Sequence, residues 1–96
     1  MWWLAALFVL GDSAQDRTVA VAPGEYLEVT ATGAGTPVVL IPGLFGSAFG
    51  FRKLIPLLVA QGHRVVVIEP LGVGTSGRPE RADYSLDAQA SRIAAV

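Results

Sequence analysis

A short glycine-rich loop behind an apolar strand is the first candidate for chemistry. Val38 to Ile41 are four consecutive apolar residues, and the loop PGLFGS, Pro42 to Ser47, follows them directly. Backbone N–H groups at the carboxyl end of a strand, where a helix begins, can donate hydrogen bonds to negative charge that develops on an oxygen atom. Gly43 and Gly46 would let a substrate approach the backbone closely. The loop alone is equally compatible with an ordinary turn between a strand and a helix.

A second glycine cluster, GVGTSG from Gly72 to Gly77, matches the G-x-G-x-x-G pattern of dinucleotide-binding loops. In that motif the third glycine lies in a helix whose N-terminus faces the pyrophosphate. Here Arg78 and Pro79 follow, and no helical pattern begins until about Ser85. The acidic residue expected about 20 positions later is also missing. We therefore expect neither a nucleotide site nor any other cofactor.

The other residues that could serve as a base or nucleophile are poorly placed for catalysis. His63, the only histidine, precedes a predicted strand, whereas catalytic groups in open α/β sheets gather beyond the carboxyl ends of strands. Ser76 lies in GTSGR, which differs from a G-x-S-x-G nucleophile elbow by an arginine and by the loop that follows. Ser47 and Ser85 are predicted helix caps, and Ser91 lies on a helix surface. The sequence therefore predicts no catalytic side chain and no metal site.

The composition limits the class of protein. The chain has 96 residues, which suit one small domain at most, and 52% of them are hydrophobic while only 16% are charged. This apolar load predicts that more protein, either a missing half of the sheet or a partner chain, covers part of the surface. A net charge of −1 gives no electrostatic reason to expect nucleic acid, and the absence of cysteine excludes disulfides and thiolate metal sites.

Residues 1–16 form a segment of different character. Met1 to Leu10 are apolar, and the sequence then becomes polar. This run is too short for a transmembrane helix, which needs about 20 residues. Its length matches the apolar region of a secretory signal, with Gly11, Ser13 and Ala14 nearby for cleavage, although no basic residue precedes it and Asp12 is unfavourable. We favour a targeting segment and thus export; the alternative is an element packed on the domain of a cytoplasmic protein.

Hydrophobic periodicity predicts four strands in residues 17–96. Arg17–Val21 and Glu25–Ala31 alternate in the manner of half-buried strands, and the Pro-Gly pair between them predicts a hairpin turn. Val38–Ile41 and Arg64–Ile68 are unalternating apolar runs, which are typical of strands buried on both faces of a parallel sheet.

Two helical patterns complete the domain. The first follows Ser47 and ends at Gly62, which suits a left-handed C-cap, while Pro56 predicts a kink or a new first turn. The second begins after Ser85. Because a strand, a helix and a further strand follow one another, a helix-covered parallel sheet is expected, and the predicted fold class is α/β.

In their order along the chain, these pieces closely resemble the N-terminal part of the α/β-hydrolase fold. The resemblance covers about Val19 to Val96 and rests on VVLIPGLFGS, FRKLIPLLVAQGHRVVVIEP, LGVGTSGRP and DYSLDAQASRIAAV. In that family a buried strand enters a His-Gly-x-x-Gly-Ser-like loop, and a later strand enters an Asp-x-x-Gly-x-Gly-x-Ser-x-x-Pro loop. The resemblance implies an incomplete α/β-hydrolase fold, with hairpin strands followed by β-α-β-α of a mostly parallel sheet.

The resemblance also implies roles for residues of the first glycine-rich loop. Leu44 would donate its backbone N–H to an oxyanion hole, Gly43 would permit the turn, and Phe45 would line the substrate pocket. Two residues depart from the family pattern, because Pro42 replaces the usual histidine and Glu69 the usual aspartate.

The activity implied by the resemblance is hydrolysis of a small-molecule substrate. A serine nucleophile acting on an ester, amide or similar bond is our first choice. The alternative is an aspartate nucleophile acting on an epoxide or a carbon–halogen bond, since FRKLIP and GVGTSGRP look like the haloalkane dehalogenase and epoxide hydrolase branch. Against a dehalogenase, PGLFGS lacks the polar residue that would hold a halide.

The family's nucleophile elbow would lie on the next strand, just beyond Val96, and its acid and histidine later still. We therefore expect the 96-residue chain to be inactive alone. Without that strand, Val38–Ile41 is predicted to become an open sheet edge. A different class of protein, a non-catalytic remnant that needs a partner chain, is the remaining alternative.

Overall fold

The computed structural model describes residues 14–96, and its elements follow the predicted order. The elements are β1 (Gln15–Ala22), β2 (Glu25–Thr32), β3 (Thr36–Leu40), a 3-10 helix (Ala48–Phe51), α1 (Leu54–Ala60), β4 (His63–Ile68) and α2 (Leu86–Ala94). Nearly all of the predicted targeting segment, residues 1–16, lies outside the described residues. Within residues 14–96 every helix is too short or too polar to cross a membrane.

The four strands form one mixed sheet in the order β1-β2-β4-β3. β3 and β4 are parallel, as the strand–helix–strand pattern predicts, while the N-terminal hairpin contributes the antiparallel pairs β1–β2 and β2–β4. β3 is the last strand of the sheet that residues 14–96 form. Val39 and Ile41 are therefore 51% and 47% exposed, and the two-sided burial expected for this strand is not found within the described residues.

Apolar side chains are buried on both faces of β4. Ile68 lies opposite Val29 of β2, so both point to the same face, where Leu27 and Leu71 complete the buried cluster and Ile93 of α2 packs against it. Val65 and Val67 alternate to the other face, the strand contacts α1, and both valines are at most 1% exposed. β4 is therefore an inner strand of the sheet with buried side chains on both faces.

The helix boundaries follow from their cap residues. α1 begins at Leu54, so Pro56 lies in the first turn, where its missing N–H breaks no helical hydrogen bond. Gly62 then takes a φ of +87°, as the predicted left-handed cap requires. The predicted Ser85 cap is confirmed, because its side chain accepts a hydrogen bond from the Ala88 N–H at 3.2 Å.

Ser47 lies at the predicted cap position, but its side chain does not cap the helix. Ser47 precedes the 3-10 helix, but its side chain makes no capping hydrogen bond. The N–H groups at this helix start have other acceptors: Gly50 donates to the Ser47 backbone carbonyl at 3.0 Å, and Ala48 donates to the Glu69 carboxylate. The expectation of a side-chain cap was wrong because a carboxylate from another loop occupies that place.

A candidate site at the carboxyl ends of the parallel strands

The loop after β3 is a tight turn with a strained residue in it. The Gly46 N–H donates to the Gly43 carbonyl at 2.9 Å, which places Leu44 and Phe45 at the two central positions. Phe45 has a φ of +65°, and it is the one residue other than glycine in residues 14–96 with a positive φ. The second central position of such turns usually carries glycine or asparagine. The backbone therefore keeps a bulky residue in a conformation that costs free energy.

The turn exposes two apolar side chains and a backbone N–H that has no acceptor among the described residues. The Leu44 and Phe45 side chains are 78% and 97% exposed. Among residues 14–96, no group accepts a hydrogen bond from the Leu44 N–H. The three residues predicted from the resemblance, Gly43, Leu44 and Phe45, are thus together in one turn at the carboxyl end of a parallel strand.

A groove lies between this turn and the loop after β4. Its volume is about 360 Å³. Its lining consists of Leu44, Leu71, Gly72, Val73, Arg78, Tyr84 and Gln89. Ligands of open α/β sheets bind at the carboxyl ends of the strands, which is where this groove lies.

Glu69 connects the two loops that border the groove. It directly follows β4 and is 5% exposed. Its Oε2 accepts a hydrogen bond from the Ala48 N–H at 3.0 Å, at the end of the β3 loop. Its Oε1 accepts from the Thr75 N–H at 3.1 Å and from the Thr75 hydroxyl at 2.8 Å, in the β4 loop. One carboxylate therefore holds both loops.

The Glu69 carboxylate is ionised at neutral pH. Burial raises the pKa of this carboxyl, but the hydrogen bonds from Ala48 and Thr75, together with the nearby Arg78 charge, outweigh burial and hold the pKa below its ordinary value of 4.5. Gly74, at a φ of +59°, leaves room for the carboxylate, because a Cβ there would overlap it. Sequence reasoning noted Glu69 only as a departure from the family pattern; an acidic residue at the carboxyl end of a buried strand was the available signal.

The GVGTSG segment is a closed loop. The Gly72 N–H donates to the Gly77 carbonyl at 2.8 Å, the Gly77 N–H donates to the Tyr26 carbonyl at 2.8 Å, and no helix begins before Leu86. Gln89 of α2 holds the same loop, since its side chain donates to the Leu71 carbonyl at 2.8 Å and accepts from the Leu71 N–H at 3.2 Å. These contacts give the segment a structural role, since they fasten the loop to β2 and α2.

Ser76 and His63 also have structural surroundings. The Ser76 hydroxyl donates to the Glu69 backbone carbonyl at 2.6 Å and accepts from the Glu28 N–H at 2.8 Å, and the residue is 5% exposed. His63 is the first residue of β4, with Nδ1 3.3 Å from the Thr36 carbonyl oxygen, at the end of the strand away from the groove. Neither side chain faces the candidate site.

Comparison with known proteins shows the family to which the chain belongs. A family model described as the alpha/beta hydrolase fold matches residues 36–96. Lipase 3 of Moraxella sp. (strain TA144) is 37% identical over 59 residues, covering 62% of the chain and 18% of the lipase. A haloalkane dehalogenase of Psychrobacter cryohalolentis is 34% identical over 79 residues, covering 81% of the chain and 25% of the dehalogenase.

A solved structure extends the likeness to three dimensions. The epoxide hydrolase from an endophytic Streptomyces superimposes with a TM-score of 0.74 at 31% identity, covering 85% of the chain and 25% of the hydrolase. The chain belongs to the alpha/beta hydrolase fold family. It spans 18% and 25% of the lengths of the two curated relatives named above.

Proposed function

We propose that residues 17–96 are the N-terminal portion of a hydrolase that cleaves an ester or similar bond with a serine nucleophile, and that the Leu44 N–H is one donor of its oxyanion hole. The observation that carries this proposal is the Leu44 N–H itself. It has no acceptor among the described residues and lies in the turn that follows a parallel strand, beside an open groove. A preorganised donor of this kind stabilises the charge that develops on a carbonyl oxygen during acyl transfer.

The remaining catalytic groups would come from chain beyond Val96. A following strand that pairs with the open edge of β3 would carry the nucleophile elbow to the same sheet edge as Leu44, and the N–H after the nucleophile would be the second donor. The small share of each relative that the chain covers supports this reading. Residues 1–96 alone would then lack ester hydrolysis.

Phe45 is proposed to line the substrate pocket. Its ring is 97% exposed on the turn that holds the oxyanion donor, and the exposed Leu44 side chain adjoins it. Such a surface suits a substrate with an apolar group next to the bond that is cleaved, because binding would remove this apolar area from water.

An aspartate nucleophile acting on an epoxide or a carbon–halogen bond is the second candidate. It is favoured by the likeness to a haloalkane dehalogenase and to an epoxide hydrolase structure. The residue at the elbow separates the two chemistries: a serine would form an acyl-enzyme, and an aspartate would form an alkyl-enzyme ester.

The test compares Leu44→Pro with Leu44→Ala in the enzyme made from the complete reading frame. Proline is readily accepted at the first central position of such a turn, but it removes the N–H. With p-nitrophenyl butyrate, we expect Leu44→Pro to lower kcat by about 10²–10³-fold, the usual effect of losing one oxyanion donor. Leu44→Ala keeps the N–H and should keep kcat. Equal kcat values for the two variants would contradict the proposal.

A further inference from the structure

We propose that Glu69 is a positioning residue for the oxyanion donor: its carboxylate fixes the turn that carries the Leu44 N–H by holding the Ala48 N–H. This inference rests on the proposed function of Leu44. In this role Glu69 does not contact the substrate. It raises kcat because it holds the backbone that carries the oxyanion donor.

The turn is fastened at both ends to β4. At its start, Leu40 is paired with Val67 in the parallel ladder. At its end, Ala48 donates to Oε2 of Glu69, which directly follows β4 and lies two residues after Val67. Between these anchors, the hydrogen bond from Gly46 to Gly43 is the one backbone bond that shapes the turn among the described residues. If the hydrogen bond from Ala48 to Glu69 were lost, the turn that carries the Leu44 N–H would be held only at its start, by the pairing of Leu40 with Val67.

The carboxylate has little freedom to move away from Ala48. Its other oxygen accepts two hydrogen bonds from Thr75, and Gly74 leaves just enough room beside it. The two oxygens are thus assigned to different loops. Glutamine would replace one acceptor oxygen with an amide donor facing an N–H, so Glu69→Gln must break the contact with Ala48 or those with Thr75.

Two variants and one control test the role in the enzyme made from the complete reading frame. With p-nitrophenyl butyrate, Glu69→Gln should lower kcat by about ten- to 100-fold with little change in KM, because a displacement of about 1 Å has effects of this size. Gly74→Ala should do the same while Glu69 is retained, since the added Cβ displaces the carboxylate.

Ser76→Ala is the matched control. It removes the hydrogen bonds of the same loop to the Glu28 N–H and to the Glu69 backbone carbonyl, but none to Ala48. It should lower stability and leave kcat within about twofold of the original enzyme, since its loss acts on the fold and not on the turn. If Ser76→Ala lowers kcat as much as Glu69→Gln does, Glu69 acts only through general stability and the proposal fails.

Hydrogen exchange separates this proposal from the proposed function. The Ala48 amide should exchange faster in Gly74→Ala, whose added Cβ would overlap the Oε2 atom that holds Ala48, than in Ser76→Ala, whether or not esters are hydrolysed. If the enzyme shows this exchange pattern but does not hydrolyse esters, the proposed function is contradicted, while the role of Glu69 in holding Ala48 stands. Unchanged Ala48 exchange, or faster exchange with unchanged kcat in an active enzyme, would overturn the positioning role.

Discussion

Arg92 of α2 and Glu25 at the start of β2 form a two-point ion pair. The Arg92 Nε donates to Oε1 of Glu25 at 2.7 Å, and Nη2 donates to Oε2 at 3.3 Å. The hydrogen bond from Arg92 is the main cause that lowers the pKa of the Glu25 carboxyl. Because the partners are 67 positions apart, the pair fastens α2, and with it one wall of the groove, to the N-terminal hairpin.

We expect Arg92→Ala to lower the urea midpoint of unfolding. The substitution removes both hydrogen bonds and the packing of a side chain that is 8% exposed. Arg92→Lys should recover part of the loss, since it keeps the charge but not the planar two-point geometry. Arg64→Ala, at an exposed position of β4, is the control. Equal midpoints for Arg92→Ala and Arg64→Ala would show that the pair contributes nothing.

Ser76→Ala should lower the free energy of unfolding by about 1–3 kcal/mol, because the partly buried Glu28 N–H would lose its acceptor. Equilibrium urea unfolding measures this change. Ser91→Ala, on the exposed face of α2, should change stability by less than about 0.5 kcal/mol. A similar effect of the two substitutions would refute the structural role of Ser76.

Phe45→Gly should raise the free energy of unfolding by about 0.5–1 kcal/mol. Glycine relieves the strain of the positive φ, and its greater freedom in the unfolded chain offsets part of that gain. Little buried area is lost, because the ring is 97% exposed. Phe45→Ala keeps the strain and should not stabilise.

The same two variants test the role of Phe45 in the substrate pocket. Both should raise KM for esters with an apolar acyl group. An unchanged KM would show that Phe45 does not line the pocket.

Stability should decrease as the pH falls below about 4.5, the ordinary pKa of a glutamate carboxyl. The pKa of Glu69 is held below that value in the folded protein, and the Ser85 N–H likewise lowers the pKa of Asp83. A carboxyl with a lowered folded pKa stabilises the protein above its unfolded pKa, and this stabilisation is lost as the pH falls through the folded pKa. Urea unfolding from pH 7 to pH 3 measures the slope, which should be shallower in Glu69→Gln. An equal slope in both proteins would count against the Glu69 assignment.

The elements were predictable from the sequence because their signals are local. Apolar alternation in β2 reports burial on one face, and Pro56 and Gly62 mark the start and end of α1 through their backbone preferences alone. The parallel pairing of β3 and β4 follows from the helix between them. The positions of Gly43, Leu44 and Phe45 came from the family resemblance.

The contacts that shape the site were not predictable in the same way. Glu69 meets Ala48, 21 positions earlier, and no spacing rule in the sequence predicts which backbone N–H a carboxylate will accept from. The positive φ of Phe45 was also missed, since the resemblance assigned the turn to Gly43. The first feature depends on how two loops distant in sequence pack together, and the second belongs to the turn that the Gly46–Gly43 hydrogen bond closes.

Labelling with a fluorophosphonate tests the central claim most directly, because this reagent bonds covalently to an activated serine. The protein is purified from its own cells, labelled, digested and mapped by mass spectrometry against its coding sequence. The account predicts one adduct, on a serine in a Gly-x-Ser-x-Gly elbow that follows Val96, with loss of ester hydrolysis in proportion to labelling. An adduct on Ser76, or full labelling resistance in a protein that hydrolyses esters, would contradict it.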